Sequence, residues 1–232
     1  MSVRADPHFQ GTTMSGTKPL RELIVPVLLA AAVSLAVAAE GKGPTVWSFD
    51  EDEVGKPPSS FEFAVTAKKQ PGKWVIAKDD DNQVLAQVDR DKTARRFAMA
   101  LVRNSSYRDL KISVKAKPVA GEVEMVAGLV WRYQDADNYY VARWNTDSVR
   151  VDRVVSGERQ LMTPLETRVT LTAQNWHTLT VEHRGEHIEV FMGSDRVFEG
   201  KDKTYTEAGK IGVWIKADSL TYFDDLTAEA LK

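Results

Sequence analysis

Aromatic and basic side chains are concentrated on two neighbouring segments in the middle of the chain. They are Trp131, Arg132, Tyr133, Tyr140, Arg143 and Trp144. Sugar rings stack their C–H faces on aromatic rings, and their hydroxyl groups accept hydrogen bonds from charged donors. We therefore predict that Arg132, Tyr140, Arg143 and Trp144 contact a carbohydrate ligand. The alternative is that the aromatic rings belong to the core and the arginines shield sheet edges.

A second group of such residues lies near the C-terminal end and comprises Trp214, Lys216, Asp218 and Tyr222. Trp214 and Lys216 are two residues apart, so on a strand they project to the same side. There an ammonium group beside an indole could hold a hydroxyl or a carboxylate. If this strand lies beside the first cluster, the two groups form one ligand site. A cross-strand packing pair with a solvated lysine is the alternative.

The alternation of side chains along a strand limits which of these residues can meet. It sends Arg132 to the face opposite Trp131. Across a hairpin, Arg132, Tyr140 and Trp144 could share one face, with Arg143 on the other. The six clustered residues therefore cannot all point into one groove.

Acidic residues near both ends of the chain predict a structural calcium ion as one option. Asp50 and Asp52 stand early in the chain, and Asp225 stands close to its C-terminal end. Calcium prefers several carboxylate and carbonyl oxygens, and the first and last strands of many sandwich proteins pair with each other. The spacing matches no regular calcium loop, and a solvated acidic turn is the alternative.

Composition excludes several other kinds of chemistry. The 232 residues include 31 Lys and Arg against 33 Asp and Glu, so there is no basic excess to bind nucleic acid. The absence of cysteine excludes disulfides, a cysteine nucleophile and thiolate metal sites. His183 and His187 flank one predicted turn, but two histidines without a third ligand do not make a zinc site. No cofactor is predicted with certainty.

The N-terminal segment has the three-part pattern of a secretory signal. An apolar run from Leu23 to Val37 follows Lys18 and Arg21 and ends in small residues. We predict that residues 1–39 are a signal peptide, with Met14 as an alternative start, and that the mature protein is periplasmic or extracellular. The run is shorter than a membrane-spanning helix, although an uncleaved anchor is the alternative. No membrane span is expected after cleavage.

Residues 40–232 are expected to form one all-β domain. From Thr45 onward most segments alternate apolar and polar residues, most clearly from Leu110 to Ala116. Turn signals such as Ser156-Gly157 recur at the spacing typical of a sandwich or barrel. A dozen or so strands exceed what one twisted sheet holds comfortably, so two packed sheets are predicted. The oligomeric state is left open.

Several segments resemble the concanavalin A-like lectin and glucanase superfamily. They are residues 128–135 (GLVWRYQD), 138–143 (NYYVAR), 176–179 (WHTL), 212–218 (GVWIKAD) and 222–225 (YFDD). The chain is most similar to the branch that includes 3-keto-disaccharide hydrolase and laminin G-like jelly-roll domains. The resemblance implies a two-sheet jelly-roll sandwich that acts on or binds carbohydrate.

One departure from this superfamily concerns catalysis. Its laminarinase-like members carry Glu-x-Asp-x-x-Glu on one strand, and here Glu122-Val123-Glu124 is the nearest approach. Our first hypothesis is therefore an exported carbohydrate-binding or interaction module. The second, implied by the resemblance, is a glycoside hydrolase-like enzyme, which would require an acid such as Asp218, Asp225 or Glu124 in one cleft with Arg132 and Lys216. A structural envelope protein without a small ligand is the third.

Overall fold

Fifteen β-strands account for the regular structure in the computed structural model, which describes residues 43–66, 70–164 and 169–232. In chain order the strands are β1 (Thr45–Trp47), β2 (Phe61–Thr66), β3 (Trp74–Asp79), β4 (Asn82–Gln87), β5 (Phe97–Val102), β6 (Leu110–Ala120), β7 (Ala127–Asp135), β8 (Asn138–Trp144), β9 (Val149–Val155), β10 (Glu158–Leu161), β11 (His177–Arg184), β12 (His187–Met192), β13 (Asp195–Lys201), β14 (Lys210–Lys216) and β15 (Leu220–Ala230). Those residues contain no helix, and hence no helical segment that could span a membrane. The predicted signal segment and the alternative start at Met14 lie outside them.

The strands form two antiparallel sheets. The eight-stranded sheet has the order β13-β12-β11-β6-β15-β4-β3, and β1 pairs with the C-terminal part of β15. The seven-stranded sheet has the order β10-β9-β8-β7-β14-β5-β2. The predicted all-β architecture of two packed sheets is thus confirmed, and it is a jelly-roll sandwich. The last described strand, β15, is central, because it pairs with β6 on one side and with β4 and β1 on the other.

Side-chain alternation follows the predicted pattern in the eight-stranded sheet. Along β6, Leu110, Ile112 and Val114 are buried, whereas Lys111 and Lys115 are exposed. Apolar residues on one face of each strand therefore meet those of the facing sheet. The buried faces supply the main driving force for folding, because each buried apolar side chain is removed from water.

The aromatic residues of β7 and β8 are divided between the two faces of the seven-stranded sheet. Trp131 and Tyr140 point inward to the core, where their rings stack with centroids 5.5 Å apart. Trp144 is buried in the same core. Tyr139 lies on the other face, in a separate apolar cluster. Tyr140 and Trp144 thus share a face, as alternation predicts.

A bulge at Arg132 interrupts that alternation. Arg132 has a left-handed backbone with φ of 44°, and the pairing of β7 with β8 shifts register between Trp131 and Asp135. Such a bulge adds a residue to one strand and changes the direction of the side chains after it. As a result Tyr133 packs on the outer face, although it is two residues from the inward-facing Trp131.

The bulge directs Arg132 into one end of the sandwich, where its side chain is 1% exposed. Its nitrogens donate to the backbone carbonyls of Arg108 at 2.7 Å, Tyr205 at 2.7 Å and Gly185 at 3.0 Å, and to Asp109 Oδ1 at 3.1 Å. These acceptors belong to three different loops. Arg132 therefore ties the loops at this end together, and this corrects its predicted place beside Tyr140 in a ligand site.

His183 is a buried residue of the same region. Its Nδ1 accepts a hydrogen bond from Trp131 Nε1 at 2.9 Å, and its ring packs edge-on against Tyr140. Since Nδ1 is an acceptor, the neutral ring carries its proton on Nε2. Burial lowers the pKa of His183 to about 3, and the positive charge of Arg132 acts in the same direction. The fold therefore holds this histidine neutral.

The seven-stranded sheet is strongly curled toward its outer face. Strands β10 and β5 are five places apart, which in a flat sheet is about 24 Å. Nevertheless the guanidinium of Arg159, on β10, lies 4.8 Å from the ring centroid of Phe97, on β5. Arg95, just before β5, also pairs with Glu158 of β10 at 2.5 Å. The outer face is therefore the inside of a trough.

We expect Arg132→Met to lower the free energy of unfolding by about 2–4 kcal/mol, because three carbonyls and a carboxylate lose their buried donor. Chemical denaturation measures this. Arg103→Met is the control, since Arg103 is 52% exposed and donates to one carbonyl, that of Ser59. Equal effects of the two substitutions would contradict the proposed role of Arg132.

We expect the protein to lose stability below neutral pH through His183. The unfolded chain gains a proton here below about pH 6.5, whereas the folded chain resists protonation until about pH 3. The free energy of unfolding should therefore fall by about 2–3 kcal/mol between about pH 7.5 and about pH 4.5. In His183→Gln, whose amide oxygen can still accept from Trp131, this fall should shrink; His177→Gln should keep it. An unchanged fall in His183→Gln would refute the assignment.

Candidate functional site

The outer face of the curled seven-stranded sheet, which we call the trough, has an apolar floor. Its floor residues come from strands β5, β7, β8, β9 and β14 and from the segment before β7. They are Phe97, Met99, Leu101, Val126, Val130, Tyr139, Val141, Val154 and Trp214. All nine are at most 2% exposed, so the floor is covered by other groups. An apolar cluster on the outer face of a sandwich sheet is unusual, because that face ordinarily meets water. The trough is therefore the first place to look for a ligand.

Polar groups of the floor are joined in one hydrogen-bonded chain. Trp214 Nε1 donates to the hydroxyl of Tyr139 at 3.3 Å, which lies 2.6 Å from Thr66 Oγ1, and Thr66 donates to the carbonyl of Ala136 at 2.7 Å. Burial raises the pKa of Tyr139 well above its ordinary value. This tyrosine therefore stays protonated, and the chain fixes the orientation of the Trp214 ring.

Two ion pairs lie on the same face. Arg143 Nε donates to Asp152 at 2.9 Å, and the carboxylate of Asp152 is almost fully buried. Lys216, at the end of β14, pairs with Glu124 in the segment that precedes β7. Each of these two carboxylates thus has a direct cationic partner.

Arg159 extends over the floor from β10. Its guanidinium stacks on Phe97, and the charges of Arg143, Asp152 and Glu124 all act on it. Burial lowers the pKa of Arg159 from its ordinary value, and the positive charge of Arg143 lowers it further. Its Nη1 is buried and, within the described part of the chain, has no hydrogen-bond partner. A donor in this state is suited to a ligand acceptor.

The structure brings together three of the residues predicted to bind a ligand: Arg143, Trp214 and Lys216. Strand β14 pairs with β7, and β7 pairs with β8, so the strand of the second cluster does lie beside the first. Tyr140 and Trp144 are instead on the inward face. The hydroxyl of Tyr140 donates to Asp202 at 2.5 Å, and both rings serve the core.

Asp218 and Tyr222 are also separated from the trough floor. The carboxylate of Asp218 accepts backbone N–H bonds from Glu122, Val123 and Glu124, at 2.8 to 3.2 Å. Burial alone would raise the pKa of Asp218, but these bonds lower it overall. Asp218 therefore anchors the segment that presents Glu124 to Lys216.

Tyr222 belongs to the other sheet. It pairs with Lys117 across β15 and β6, and Lys117 Nζ lies 5.6 Å from its ring and 5.5 Å from that of Trp176. Lys117 is also paired with Asp79. This packed cluster on the outer face of the eight-stranded sheet corrects the grouping of Tyr222 with Trp214.

The residues predicted to bind calcium are not arranged as three converging carboxylates. Asp225 pairs with Lys115 at 2.7 Å. The turn that contains Asp50 and Asp52 instead presents backbone carbonyls, and Gln83 Nε2 lies 3.2 Å from that of Phe49, 2.5 Å from that of Asp50 and 3.2 Å from that of Asp52. An amide nitrogen has two hydrogens and cannot fully satisfy three acceptors.

Among the residues predicted to bind calcium, these backbone carbonyls offer the best place for a cation. The charge of Asp50 acts on the neighbouring carboxylate of Asp224, whose pKa is raised chiefly by burial. Carbonyls with a nearby carboxylate are ligands that calcium accepts. Calcium thus stays a proposal, with Asp224 in the place first given to Asp225.

Another group of metal-ligating side chains lies on β12 and β13, where His187, Glu189 and Glu199 approach one another. Arg196 already donates to both glutamates, at 2.7 and 2.9 Å. The guanidinium therefore offsets part of the negative charge of the two glutamates.

Sequence reasoning missed Arg159 and Asp152. The outward direction of Asp152 could have been predicted, because Asp152 alternates with Val149 and Val151, which face the core. No local pattern predicts the role of Arg159, since its approach to Phe97 depends on the curl of the whole sheet.

No protein-family model and no curated protein sequence matches the chain. Solved structures do match it in fold. Carbohydrate binding module CBM66 from Bacillus subtilis has a TM-score of 0.57 at 19% identity, covering 72% of this chain and 95% of that one. The cellulose induced protein Cip1 has a TM-score of 0.56 at 9% identity, covering 81% and 97%.

A third similar structure is domain 4 of AbnA, a GH43 extracellular arabinanase from Geobacillus stearothermophilus, in complex with arabinotriose. Its TM-score is 0.53 at 12% identity, covering 82% of this chain and 94% of that one. At these identities the likeness is one of fold. The shared fold is the jelly-roll sandwich.

We expect Gln83→Ala to lower the free energy of unfolding by about 1–3 kcal/mol, because the three carbonyls lose their donor. If the carbonyls and Asp224 accept calcium, millimolar calcium should raise the melting temperature of this variant more than that of the wild type. Magnesium is the control, because it prefers a tighter octahedral site. No response to calcium in either protein would remove the calcium proposal.

Proposed function

We propose that this protein is an exported, non-catalytic carbohydrate-binding module whose ligand lies in the trough. The observation that carries the proposal is the presence on one curled face of an aromatic floor, Phe97 and Trp214, beside the charged groups of Arg143, Arg159 and Lys216. A sugar needs an apolar surface for its ring and charged donors for its hydroxyls.

The ligand would take the place that the Arg159 side chain now occupies on Phe97. The guanidinium covers one face of that ring, as a sugar would. Arginine has a long side chain with several rotatable bonds, so it can swing aside and then close on a bound ring. Arg143 and Lys216 stand on either side as hydroxyl donors.

The similar structures support this proposal because two proteins with this fold are described together with a carbohydrate. One is named as a carbohydrate binding module, and another holds arabinotriose. The same fold hosts unrelated functions, so the argument depends on the side chains of the trough.

The ion pairs favour binding over hydrolysis. A glycosidase needs one carboxyl group with a raised pKa to protonate the leaving oxygen. Asp152 and Glu124 are instead each held in a direct contact with a cation.

A glycoside hydrolase-like enzyme is the second candidate. Such an enzyme would need an acid in one cleft with Arg132 and Lys216. The contact of Glu124 with Lys216 supplies part of that arrangement. Arg132, the other basic group required, is at the end of the sandwich. Release of reducing sugar by the wild type, and its loss in Glu124→Gln, would favour this candidate over binding alone.

We expect the protein to bind one of several glycans tested, and we expect Arg143→Met to weaken that binding about 10-fold or more. The reason is that a charged hydrogen-bond donor is lost from the trough. Affinity gels that contain arabinan, β-glucan, xylan or polygalacturonate identify the glycan, and calorimetry gives the affinity.

The matched control is Trp176→Ala, which removes a half-buried aromatic ring from the outer face of the other sheet. It should leave the affinity within about twofold, because rings outside the trough make no ligand contact. Loss of binding in Trp176→Ala with full binding in Arg143→Met would move the ligand to the other sheet. No retention by any glycan would overturn the proposed function.

A further inference from the structure

We infer that the ligand of the trough is an acidic polysaccharide, and that Arg159 receives the carboxylate of a uronate unit. The inference rests on the proposed function and adds the chemical class of the sugar to it.

The charged groups of the trough are incompletely paired. The carboxylate of Asp152 contacts Arg143, and that of Glu124 contacts Lys216. Arg159 is the third cation, and within the described residues it makes no direct ion pair. The positive charge of Arg159 is thus without a directly contacting carboxylate among the described residues.

Arg159 is held where a solvent counter-charge reaches it poorly. Its guanidinium rests on the Phe97 ring, and its Nη1 is buried without an acceptor among the described residues. A buried charged donor without an acceptor is costly, and the cost is recovered when a ligand supplies one. Burial also lowers the pKa of Arg159, in keeping with a guanidinium that has lost much of its water.

A carboxylate satisfies this donor better than a hydroxyl does. The planar guanidinium fork can form two parallel hydrogen bonds to one carboxylate, and the bonds are strengthened by opposite charges. A sugar hydroxyl accepts at a single oxygen and leaves the positive charge uncompensated over an apolar floor, where charge interactions are strong. Uronate units offer the carboxylate on a ring that can stack on Phe97 once the guanidinium has moved aside to receive the carboxylate.

The floor favours a polysaccharide over an acidic peptide. Phe97 and Trp214 are stacked with centroids 5.3 Å apart next to Arg159, and they are 2% and 0% exposed, so a sugar ring reaches them only when Arg159 moves off Phe97. A sugar ring that bears a carboxylate presents an apolar face and an anion in adjacent positions. An acidic peptide carries its carboxylates on flexible stems, away from a ring.

The test compares acidic glycans with the same polymers after chemical reduction of their carboxyl groups. Polygalacturonate, glucuronoxylan and alginate serve as probes, each beside its carboxyl-reduced form, with a sulfated glycan and polyglutamate as further anions. Affinity electrophoresis and calorimetry are performed on the full chain. We expect at least one uronate polymer to bind about 10-fold or more tightly than its reduced form, with an affinity that falls as salt is added.

Variants of Arg159 separate the effect of the guanidinium's paired hydrogen bonds from the effect of its positive charge. Arg159→Met should remove the preference for the acidic form, and Arg159→Lys should restore only part of it, because ammonium lacks the fork. Arg196→Met is the matched control, because Arg196 is an exposed arginine on the other sheet that pairs with Glu189. It should leave the preference unchanged, and melting curves check that all three variants fold.

The outcomes distinguish this inference from the proposed function. Equal binding of acidic and reduced polymers, with loss of both in Arg143→Met, would overturn the inference and leave the proposed function standing. Tighter binding of the sulfated glycan or of polyglutamate than of every uronate polymer would also overturn the inference. Binding of no glycan, acidic or neutral, would overturn both.

Discussion

The contact between Arg159 and Phe97 joins two strands from distant places in the seven-stranded sheet, and the properties of the trough depend on it. A flat sheet would leave the outer residues of β5, β8 and β14 as an apolar patch in water. Curling draws β10 toward β5 and places charged side chains over that patch. The same curvature removes apolar surface from solvent and concentrates cations at one place.

The arginines of this protein show that residue type alone does not assign a role. Arg132 has four acceptors within hydrogen-bond distance, all from loops at one end of the sandwich. Arg143 is paired with Asp152 on the trough face. Arg159 has a ring beneath it and a buried nitrogen without a partner in the described chain. Only the count of acceptors, together with burial, separates an arginine that holds the fold from one that can receive a ligand.

The sequence contained most of the information about sheets and faces. The period of two in β6 predicted its buried face, and the two-residue spacing of Trp214 and Lys216 predicted their common side. That Tyr140 and Trp144 share a face also followed from alternation, although their inward direction differs from the predicted ligand contact. These successes are local, because side-chain direction along a strand depends on a few neighbouring residues.

Features that depend on distant contacts could not be predicted in this way. The bulge at Arg132 breaks the alternation, and nothing in its neighbours marks the left-handed backbone. Asp224 and Asp225 are adjacent, and which of them lies nearer the turn at Asp50 depends on a register shift in β15 that cannot be seen in the sequence. The carbonyls around Gln83 escaped notice for a similar reason, since every residue has a carbonyl and only the folded turn directs three of them to one point.

The central position of β15 has a consequence for how the molecule is made. Its neighbours β6, β4 and β1 are contributed by segments that precede it by about a hundred residues or more, so this sheet cannot close until the ribosome has passed residue 230. Pairings between such distant segments form slowly, because a long loop must be ordered before any contact is gained. Closure of the eight-stranded sheet is therefore a late step in the folding of this domain.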